Sequence, residues 1–214
     1  MPSKRKPQEE KEKMNQTRFE YYESLKSGAN QLRKKYEIDS PRILPNEIKK
    51  IMKAEGIQEI VYWNDFKNVR GAYIIHEGIS HVVVNKNLKR DPKTFTLAHE
   101  LKHHLYDKEL GSLYCSNNNI HEKLEIGAEV FAAELLFPDQ LYLFHLHELG
   151  VTRENFQPEH LVLLKYTTDT TLSYSGLAKK AEFLQIAEKG SLSRIKWEKL
   201  RDEVLGDKIY KRSA

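Results

Sequence analysis

The chain of 214 residues carries a formal net charge of +4 at pH 7, and 31% of its residues are charged. This length is sufficient for one well-buried domain with a modest appendage, and so mild a charge does not by itself indicate a nucleic-acid-binding protein. Cys115 is the only cysteine, which excludes an internal disulfide and a cysteine-based zinc cluster.

The first elements predicted from the sequence are a charged tail and two helices. Residues 1–14 are rich in charged residues and contain proline, and we expect them to be disordered. They lack the apolar segment of a secretory signal, and no later stretch is apolar enough to span a membrane, so we expect a cytoplasmic protein. Apolar residues at helical spacing predict a helix over residues 16–36, and a second helix over residues 46–55 ends at Gly56.

Three short runs rich in valine, isoleucine and aromatic residues follow, over residues 57–63, 71–75 and 81–84. Turn-forming residues separate them, so the pattern predicts a small antiparallel or mixed sheet. An extended substrate could pair with an edge strand of such a sheet, and we expect residues 81–85 to provide that edge.

The rest of the chain is predicted to be mostly helical. Helices over about residues 94–105 and 121–137 carry strongly apolar stripes, and a helix pair is predicted between residues 158 and 187. We therefore expect an α+β fold, in which residues 15–150 form a domain with a small sheet packed on two helices. Residues 151–214 are expected to form a mostly helical C-terminal extension.

Residues 99–103 read His-Glu-Leu-Lys-His within the first of these two helices. A spacing of four places His99 and His103 on one helix face, where both imidazoles can reach one zinc ion at about 2.0–2.1 Å. Glu100 is rotated away from this pair and is placed to act as a catalytic base beside the open coordination position. This is the H-E-x-x-H pattern of zincin metallopeptidases. A solvated helix with ordinary surface histidines is the competing interpretation, which the apolar neighbours of the motif disfavour.

A catalytic zinc site needs a third protein ligand. The metzincin arrangement is excluded, because Tyr106 and Glu109 stand where that class has glycine and histidine. The remaining source is a glutamate on the following helix, and the candidates there are Glu122, Glu125, Glu129 and Glu134.

Among these four we favour Glu125 as the metal ligand. Glu129, one turn further on, is then an outer carboxylate that could accept the free N–H of a ligating imidazole. Small side chains at Ala128 and Ala132 allow two helices to approach closely at this place. Glu122 and Glu134 are expected to be exposed to solvent.

Two segments together resemble the ImmA/IrrE metallopeptidases. Residues 95–105 read Phe-Thr-Leu-Ala-His-Glu-Leu-Lys-His-His-Leu, and residues 125–138 read Glu-Ile-Gly-Ala-Glu-Val-Phe-Ala-Ala-Glu-Leu-Leu-Phe-Pro. The similarity covers roughly residues 20–140, and Glu125 matches the metal-binding glutamate of the family. The resemblance implies a zincin-like peptidase domain with a bound zinc ion.

The chain departs from the family pattern at three positions in these segments, one of which is Glu129, where asparagine or aspartate is usual. Lys102 stands where a glycine is common, and we expect it to be tolerated because it points away from the metal. Gly127 replaces a glutamate, which should lower helix stability by roughly 1 kcal/mol.

The resemblance also implies a substrate class. Family members cut helix-turn-helix repressors of stress operons or mobile elements, which derepresses transcription, and some carry a helix-turn-helix-like segment behind the peptidase domain. Residues 159–185 could form such a segment. Two packed helices without a DNA role explain it equally well, because the second helix has few basic residues beyond Lys179 and Lys180.

The expected reaction is metal-assisted peptide hydrolysis in which Glu100 takes a proton from the attacking water and delivers it to the departing amine. A second donor to the oxyanion is expected, and the candidates are Tyr106, His104 and His121. Each of these side chains could equally be a structural or surface residue.

The alternative is a non-proteolytic regulator that binds a repressor or DNA and uses zinc only to hold its fold. A structural zinc site is closed by a fourth protein ligand, which His104 or His121 could supply. DNA binding by residues 151–214 is a third, weaker hypothesis.

Overall fold

The structure, a computed structural model, describes residues 6–64, 69–108 and 119–206, with side chains described from Thr17 onward except at residues 119–121. This part of the chain has eight helices and three strands, as the predicted α+β class requires, and none of its helices is long and apolar enough to cross a membrane. The elements are α1 (Lys6–Lys35), α2 (Pro45–Ala54), β1 (Glu59–Trp63), β2 (Gly71–His76), β3 (Ile79–Asn85), α3 (Arg90–Tyr106), α4 (Asn119–Leu136), α5 (Asp139–Glu148), α6 (Pro158–Thr168), α7 (Tyr174–Phe183) and α8 (Trp197–Leu205).

Helix α1 is longer at its N-terminus than the sequence predicted. It begins at Lys6, so residues 6–14 are helical where a disordered tail was expected. The residue types explain the difference, because this stretch consists largely of Glu, Lys, Gln and Met, all of which have high helix propensity. Residues 1–5 lie outside the described part of the chain.

The predicted ends of α2 are confirmed. Pro45 occupies the first turn, where its missing N–H removes no helical hydrogen bond, and the Glu47 carboxylate accepts the backbone N–H of Leu44 at 2.7 Å. Gly56 follows the helix with φ +100°, a backbone conformation that side chains with a Cβ rarely adopt. The chain thereby turns directly into β1.

The three strands form a mixed sheet in the order β1-β3-β2. β3 pairs parallel with β1 and antiparallel with β2, so it is the central strand and both of its edges are already hydrogen-bonded. The expectation that residues 81–85 offer a free edge is therefore wrong. Ser80, Val82 and Val84 of β3 are buried, whereas β1 and β2 form the two edges.

Two tyrosines and two glycines fix α1 against the following helices. A Cβ at Gly28 of α1 would lie 2.0 Å from the Tyr106 hydroxyl oxygen at the end of α3. In the opposite direction, a Cβ at Gly127 of α4 would lie 2.7 Å from the Tyr21 hydroxyl oxygen of α1. Each glycine thus leaves room for a tyrosine ring of the facing helix. The close contact between α1 and the α3–α4 pair therefore depends on both glycines.

The hydrophobic core continues from the first 150 residues into the C-terminal helices. Leu161, Leu164 and Leu177 of α6 and α7 belong to the same buried cluster as Leu97 of α3 and Phe131 of α4. The buried Tyr142 hydroxyl also donates to the Leu177 carbonyl at 3.0 Å. Helices α6 and α7 are therefore packed onto the first part of the fold.

Candidate metal centre

The two histidines of the motif converge on one point. His99 and His103 lie one turn apart on α3, and their Nε2 atoms are 3.2 Å from each other. The His103 side chain is 1% exposed and the His99 side chain 12% exposed, because both lie in the contact between α3 and α4. Leu97, Ala98 and Leu101 are buried around them and hold this stretch of α3 in place.

Glu125 of α4 completes the cluster from the facing helix. Its Oε2 atom lies 3.1 Å from His99 Nε2, and its Oε1 atom lies 3.4 Å from His103 Nε2. Among the described residues, His99, His103 and Glu125 form the group of side chains whose donor atoms could hold a metal ion. The structure thus brings together the three side chains that the sequence grouped.

The spacing and the chemistry of these atoms fit a zinc ion. Two ligand atoms that are each about 2.0–2.1 Å from a tetrahedral zinc lie about 3.3–3.4 Å apart. The three separations in this cluster are 3.1, 3.2 and 3.4 Å. Two imidazole nitrogens and one carboxylate are also the donor set of many catalytic zinc sites, which leave the fourth position open.

The charges of the cluster are coupled. Burial disfavours the charged form of Glu125, but hydrogen bonds and charge from His103 and His99 outweigh it and hold the pKa of that carboxyl far below its usual range. Burial likewise opposes the charged form of His103, yet the carboxylates of Asp107, Glu125 and Glu100 raise the pKa of His103 to about 9. Without a cation at the centre, a proton on His103 therefore compensates these carboxylates.

Asp107 is a site residue that the sequence interpretation missed. Its Oδ2 atom lies 2.6 Å from His103 Nδ1, and its side chain is only 4% exposed. We assign the Nδ1 proton as donated to this carboxylate, which leaves the Nε2 lone pair of the neutral ring free to bind a metal. The spacing could have identified Asp107, because it follows His103 by four residues and such residues lie next to each other on one helix face.

Glu100 lies beside the cluster between α3 and β2. It is 2% exposed, and its Oε1 atom would be 2.9 Å from a Cβ at Gly71, the first residue of β2. Burial raises the pKa of Glu100, while the neighbouring His99 and His103 and a backbone hydrogen bond from Tyr73 act in the opposite direction. A raised pKa suits a carboxylate that must accept a proton near neutral pH.

Glu129 does not reach either imidazole. Its carboxylate lies 3.0 Å from Lys179 Nζ on α7, and both side chains are largely exposed. Glu129 was expected to accept the free N–H of a ligating imidazole, but the carboxylate that lies beside His103 Nδ1 is that of Asp107. Glu129 instead links α4 to α7.

Two of the three expected oxyanion donors are structural. The Tyr106 hydroxyl packs against Gly28 of α1, and its ring contacts Phe131, so it lies away from the metal cluster. His104 is buried, with Nδ1 3.1 Å from the Tyr73 hydroxyl and Nε2 2.9 Å from the Glu55 carbonyl. Both of its nitrogens are occupied, so it can serve neither as a donor to substrate nor as a fourth metal ligand. The side chain of His121 lies outside the described residues.

Glu134 is buried, where the sequence interpretation expected solvent exposure. It is 3% exposed, accepts Lys180 Nζ at 2.9 Å and Asn30 Nδ2 at 2.9 Å, and also accepts the backbone N–H of Asp139. Lys180 in turn contacts Asp139. This network joins α1, α4, α5 and α7, and its partners come from distant parts of the chain. Glu122 is exposed as expected.

A cleft of about 880 Å³ opens in front of the metal cluster. His99, Glu100 and Glu125 line one part of it, together with residues 69–71 at the start of β2. Phe95 of α3 and Ile126 and Val130 of α4 give it apolar sides. Its far wall comes from the C-terminal helices, where Ser175, Gly176, Lys179 and Phe183 of α7 face the cleft.

Comparisons with known proteins agree with this site. Residues 64–168 match the sequence model of the family Peptidase_M78, described as the IrrE N-terminal-like domain. A protein of Bacillus phage phi105 bearing the name "Uncharacterized immunity region protein 2" is 28% identical over 120 residues, which cover 55% of this chain and 71% of the phage protein. The group formed by His99, His103 and Glu125 lies inside the matched range, as does Glu100, whereas α7 lies beyond it.

Proposed function

Because residues 64–168 match the sequence model of the Peptidase_M78 family, we propose that this chain is a zinc-dependent endopeptidase in which His99, His103 and Glu125 bind the metal. The convergence of three donor atoms at 3.1–3.4 Å from one another carries the proposal. The open cleft in front of them supports hydrolysis, because a peptide can reach the fourth coordination position there.

The residues around the cluster have distinct roles in the proposed reaction. Bound zinc would supply Lewis acidity, which polarises the scissile carbonyl and lowers the pKa of a water molecule. Glu100 receives the proton of the attacking water and passes it to the departing amine. Asp107 holds the His103 ring in the tautomer that presents Nε2 to the centre.

The cleft suits an extended segment of a protein substrate. Residues 69–71 line the cleft where β2 begins, and β2 is an edge strand of the sheet. An extended chain can add to such an edge by backbone hydrogen bonds, while apolar side chains enter the space beside Phe95 and Val130. The substrate segment must therefore be unfolded or locally flexible when it is cut.

We propose residues 15–150 as the peptidase domain and residues 151–214 as an extension that completes the substrate cleft. Helix α7 faces the cleft through Lys179 and Phe183, and its buried Lys180 is bound to Glu134 of α4. This packing favours a substrate-binding role over insertion of α7 into a DNA groove. A cytoplasmic location accords with a substrate that regulates transcription.

A helix-turn-helix repressor is the proposed substrate, and its cleavage would derepress stress or mobile-element genes. The proposal of a repressor substrate rests on the resemblance to the ImmA/IrrE metallopeptidases. The name of the phage relative places that protein in an immunity region, which accords with a mobile-element role. The alternative of a structural zinc site loses support, because His104 has no free nitrogen and no other described residue extends the cluster to four ligands.

The direct experiment compares Glu100→Gln with the unmodified protein on the repressor encoded beside it. The protein should cut the repressor with zinc present and stop when a chelator removes the metal. Glu100→Gln should keep bound zinc and lose cleavage, because the amide cannot accept the proton. Glu122→Gln, an exposed position on α4, is the matched control and should cut normally. Undiminished turnover in Glu100→Gln would remove Glu100 from the mechanism.

A further inference from the structure

Lys102, inside the histidine motif, is a fully buried lysine. Its side chain is 0% exposed and lies between α3 and α4, where most of the neighbouring buried side chains are apolar. Its Nζ atom lies 2.6 Å from Asp107 Oδ2 and 3.1 Å from the Leu124 carbonyl oxygen. A buried ammonium group is costly unless it is paired, and both of its partners lie next to the metal cluster.

Both contacts of Lys102 lead directly to a metal-binding side chain. The Asp107 oxygen that accepts Lys102 Nζ is the same Oδ2 atom that lies 2.6 Å from His103 Nδ1. Leu124 immediately precedes Glu125 in α4. One ammonium group therefore connects the carboxylate that orients His103 with the backbone that carries Glu125.

We propose that Lys102 and Asp107 form a positioning pair that sets the geometry of the metal centre, an inference that rests on the proposed zinc site. Asp107 fixes the ring plane and tautomer of His103. Lys102 fixes Asp107 and ties the end of α3 to the turn of α4 that precedes Glu125. The pair thereby sets the distance between His103 Nε2 and the Glu125 carboxylate, which have to meet at one ion.

The contacts around Lys102 support this role over that of an isolated ion pair. Lys102 Nζ and His103 Nδ1 both lie 2.6 Å from the same Asp107 Oδ2 atom, so a displaced ammonium group would displace the carboxylate that orients the ring. The lysine also faces the Tyr21 ring, with Nζ 5.8 Å from the ring centroid, which restricts its movement further.

The test measures zinc affinity by competition with a chromophoric chelator in Asp107→Asn, Lys102→Met and the double variant. Asp107→Asn should weaken zinc binding by about 10–100-fold, the range typical of outer-shell substitutions at metal sites. Lys102→Met should weaken it by about 10-fold. Because the two side chains share the contact at Asp107 Oδ2, the loss of zinc affinity in the double variant should be smaller than the product of the two single losses. Each variant loaded with Co²⁺ should show a shifted visible spectrum, since the ligand geometry changes.

Lys180→Met is the matched control. Lys180 is also a buried lysine between two carboxylates, but its partners Glu134 and Asp139 touch no metal-binding side chain. It should lower the free energy of unfolding while leaving the zinc affinity and the Co²⁺ spectrum unchanged. Asp107→Asn keeps the size of the side chain and one acceptor oxygen, so it carries the test if Lys102→Met does not fold.

Unchanged zinc affinity and an unchanged Co²⁺ spectrum in Asp107→Asn would overturn the inference, as would independent, multiplying effects in the double variant. Zinc binding by the unmodified protein separates this failure from that of the proposed function. A protein that binds no zinc contradicts the metallopeptidase proposal, whereas a zinc-binding protein with unaffected variants contradicts only the positioning role.

Discussion

Gly71 allows the backbone of β2 to lie directly against the Glu100 carboxylate. A Cβ at position 71 would be 2.9 Å from Glu100 Oε1, 2.5 Å from the Thr96 methyl carbon and 3.2 Å from the Val83 carbonyl oxygen. The first two separations are shorter than real Cβ atoms show, so a side chain here would displace Glu100 or separate the strand from α3. The glycine therefore determines how closely the sheet approaches the proposed base.

Gly71→Ala is expected to impair hydrolysis more than zinc binding. The displaced Glu100 should lower kcat/KM by as much as about 100-fold, the cost of a misplacement near 1 Å, while the three metal ligands stay in place. Steady-state kinetics and a zinc titration would measure the two effects. Thr96→Ser removes the nearest methyl group, so the double variant should recover part of the activity. Equal losses of zinc affinity and activity in Gly71→Ala would contradict this role.

Gly127→Ala is expected to destabilise the protein although alanine is the better helix former. The gain of about 1 kcal/mol in helix propensity is outweighed by crowding against Tyr21 and Leu25, which typically costs about 1–3 kcal/mol. Urea unfolding would measure the difference. The Tyr21 hydroxyl oxygen is buried without a hydrogen-bond partner among the described residues, so Tyr21→Phe should be well tolerated. Combined with Gly127→Ala it should restore part of the stability, and a stabilising Gly127→Ala would refute the close contact.

Zinc should stabilise the protein more at pH 8 than at pH 6. The pKa of His103 is raised to about 9, so its protonation stabilises the metal-free fold fully below the unfolded value of 6.5 and progressively less as the pH rises through 9. The lowered pKa of Glu125 stabilises the fold by the same amount at pH 6 and at pH 8, because that carboxyl is ionised in both the folded and the unfolded protein above pH 6. Zinc must displace the His103 proton, and this becomes easier as the pH rises.

Thermal unfolding with zinc and with chelator, each at pH 6 and pH 8, measures this linkage. The metal-free Tm should fall between the two values of pH, while the rise in Tm caused by zinc should grow. A zinc-induced rise in Tm of the same size at pH 6 and pH 8 would mean that zinc binding releases no proton from the site.

Phe183→Ala is expected to change which peptides are cut without changing zinc affinity. Phe183 lines the cleft from α7, and Lys26 Nζ lies over its ring, 4.2 Å from the ring centroid. Cleavage of a mixed peptide library, read by mass spectrometry, would reveal the change in preferred side chains. Tyr166→Ala removes another largely exposed aromatic ring, on α6 outside the cleft, and is the control. Identical cleavage patterns for Phe183→Ala and the unmodified protein would exclude α7 from substrate selection.

Local patterns in the sequence were sufficient to predict most of the helices, the three strands and the grouping of His99, His103 and Glu125, but not helix α5 or the first part of α1. The apolar stripe of α3 and the four-residue spacing of its histidines depend on neighbours within two turns, and such short-range geometry can be derived from residue order. The ends of α2 followed from Pro45 and Gly56 for the same reason.

The features that were missed depend on contacts between distant parts of the chain. Glu134 is buried because Lys180 and Asn30 reach it from 46 and 104 residues away. The central place of β3 depends on the parallel pairing with β1, which the strand sequences do not encode by themselves. Asp107 is an exception, since its spacing from His103 was local and only its burial required the structure.

The most direct measurement is equilibrium dialysis against zinc, with metal analysis, of the unmodified protein and of His99→Ala, Glu125→Ala and Glu122→Ala. One zinc ion should bind per chain. His99→Ala and Glu125→Ala should each weaken binding by at least the roughly 10–100-fold typical of outer-shell substitutions, because either loss leaves two protein ligands. Glu122→Ala, on the same helix as Glu125 but exposed, should bind as the unmodified protein does. Full zinc occupancy with unchanged affinity in Glu125→Ala would contradict a centre formed by these three side chains.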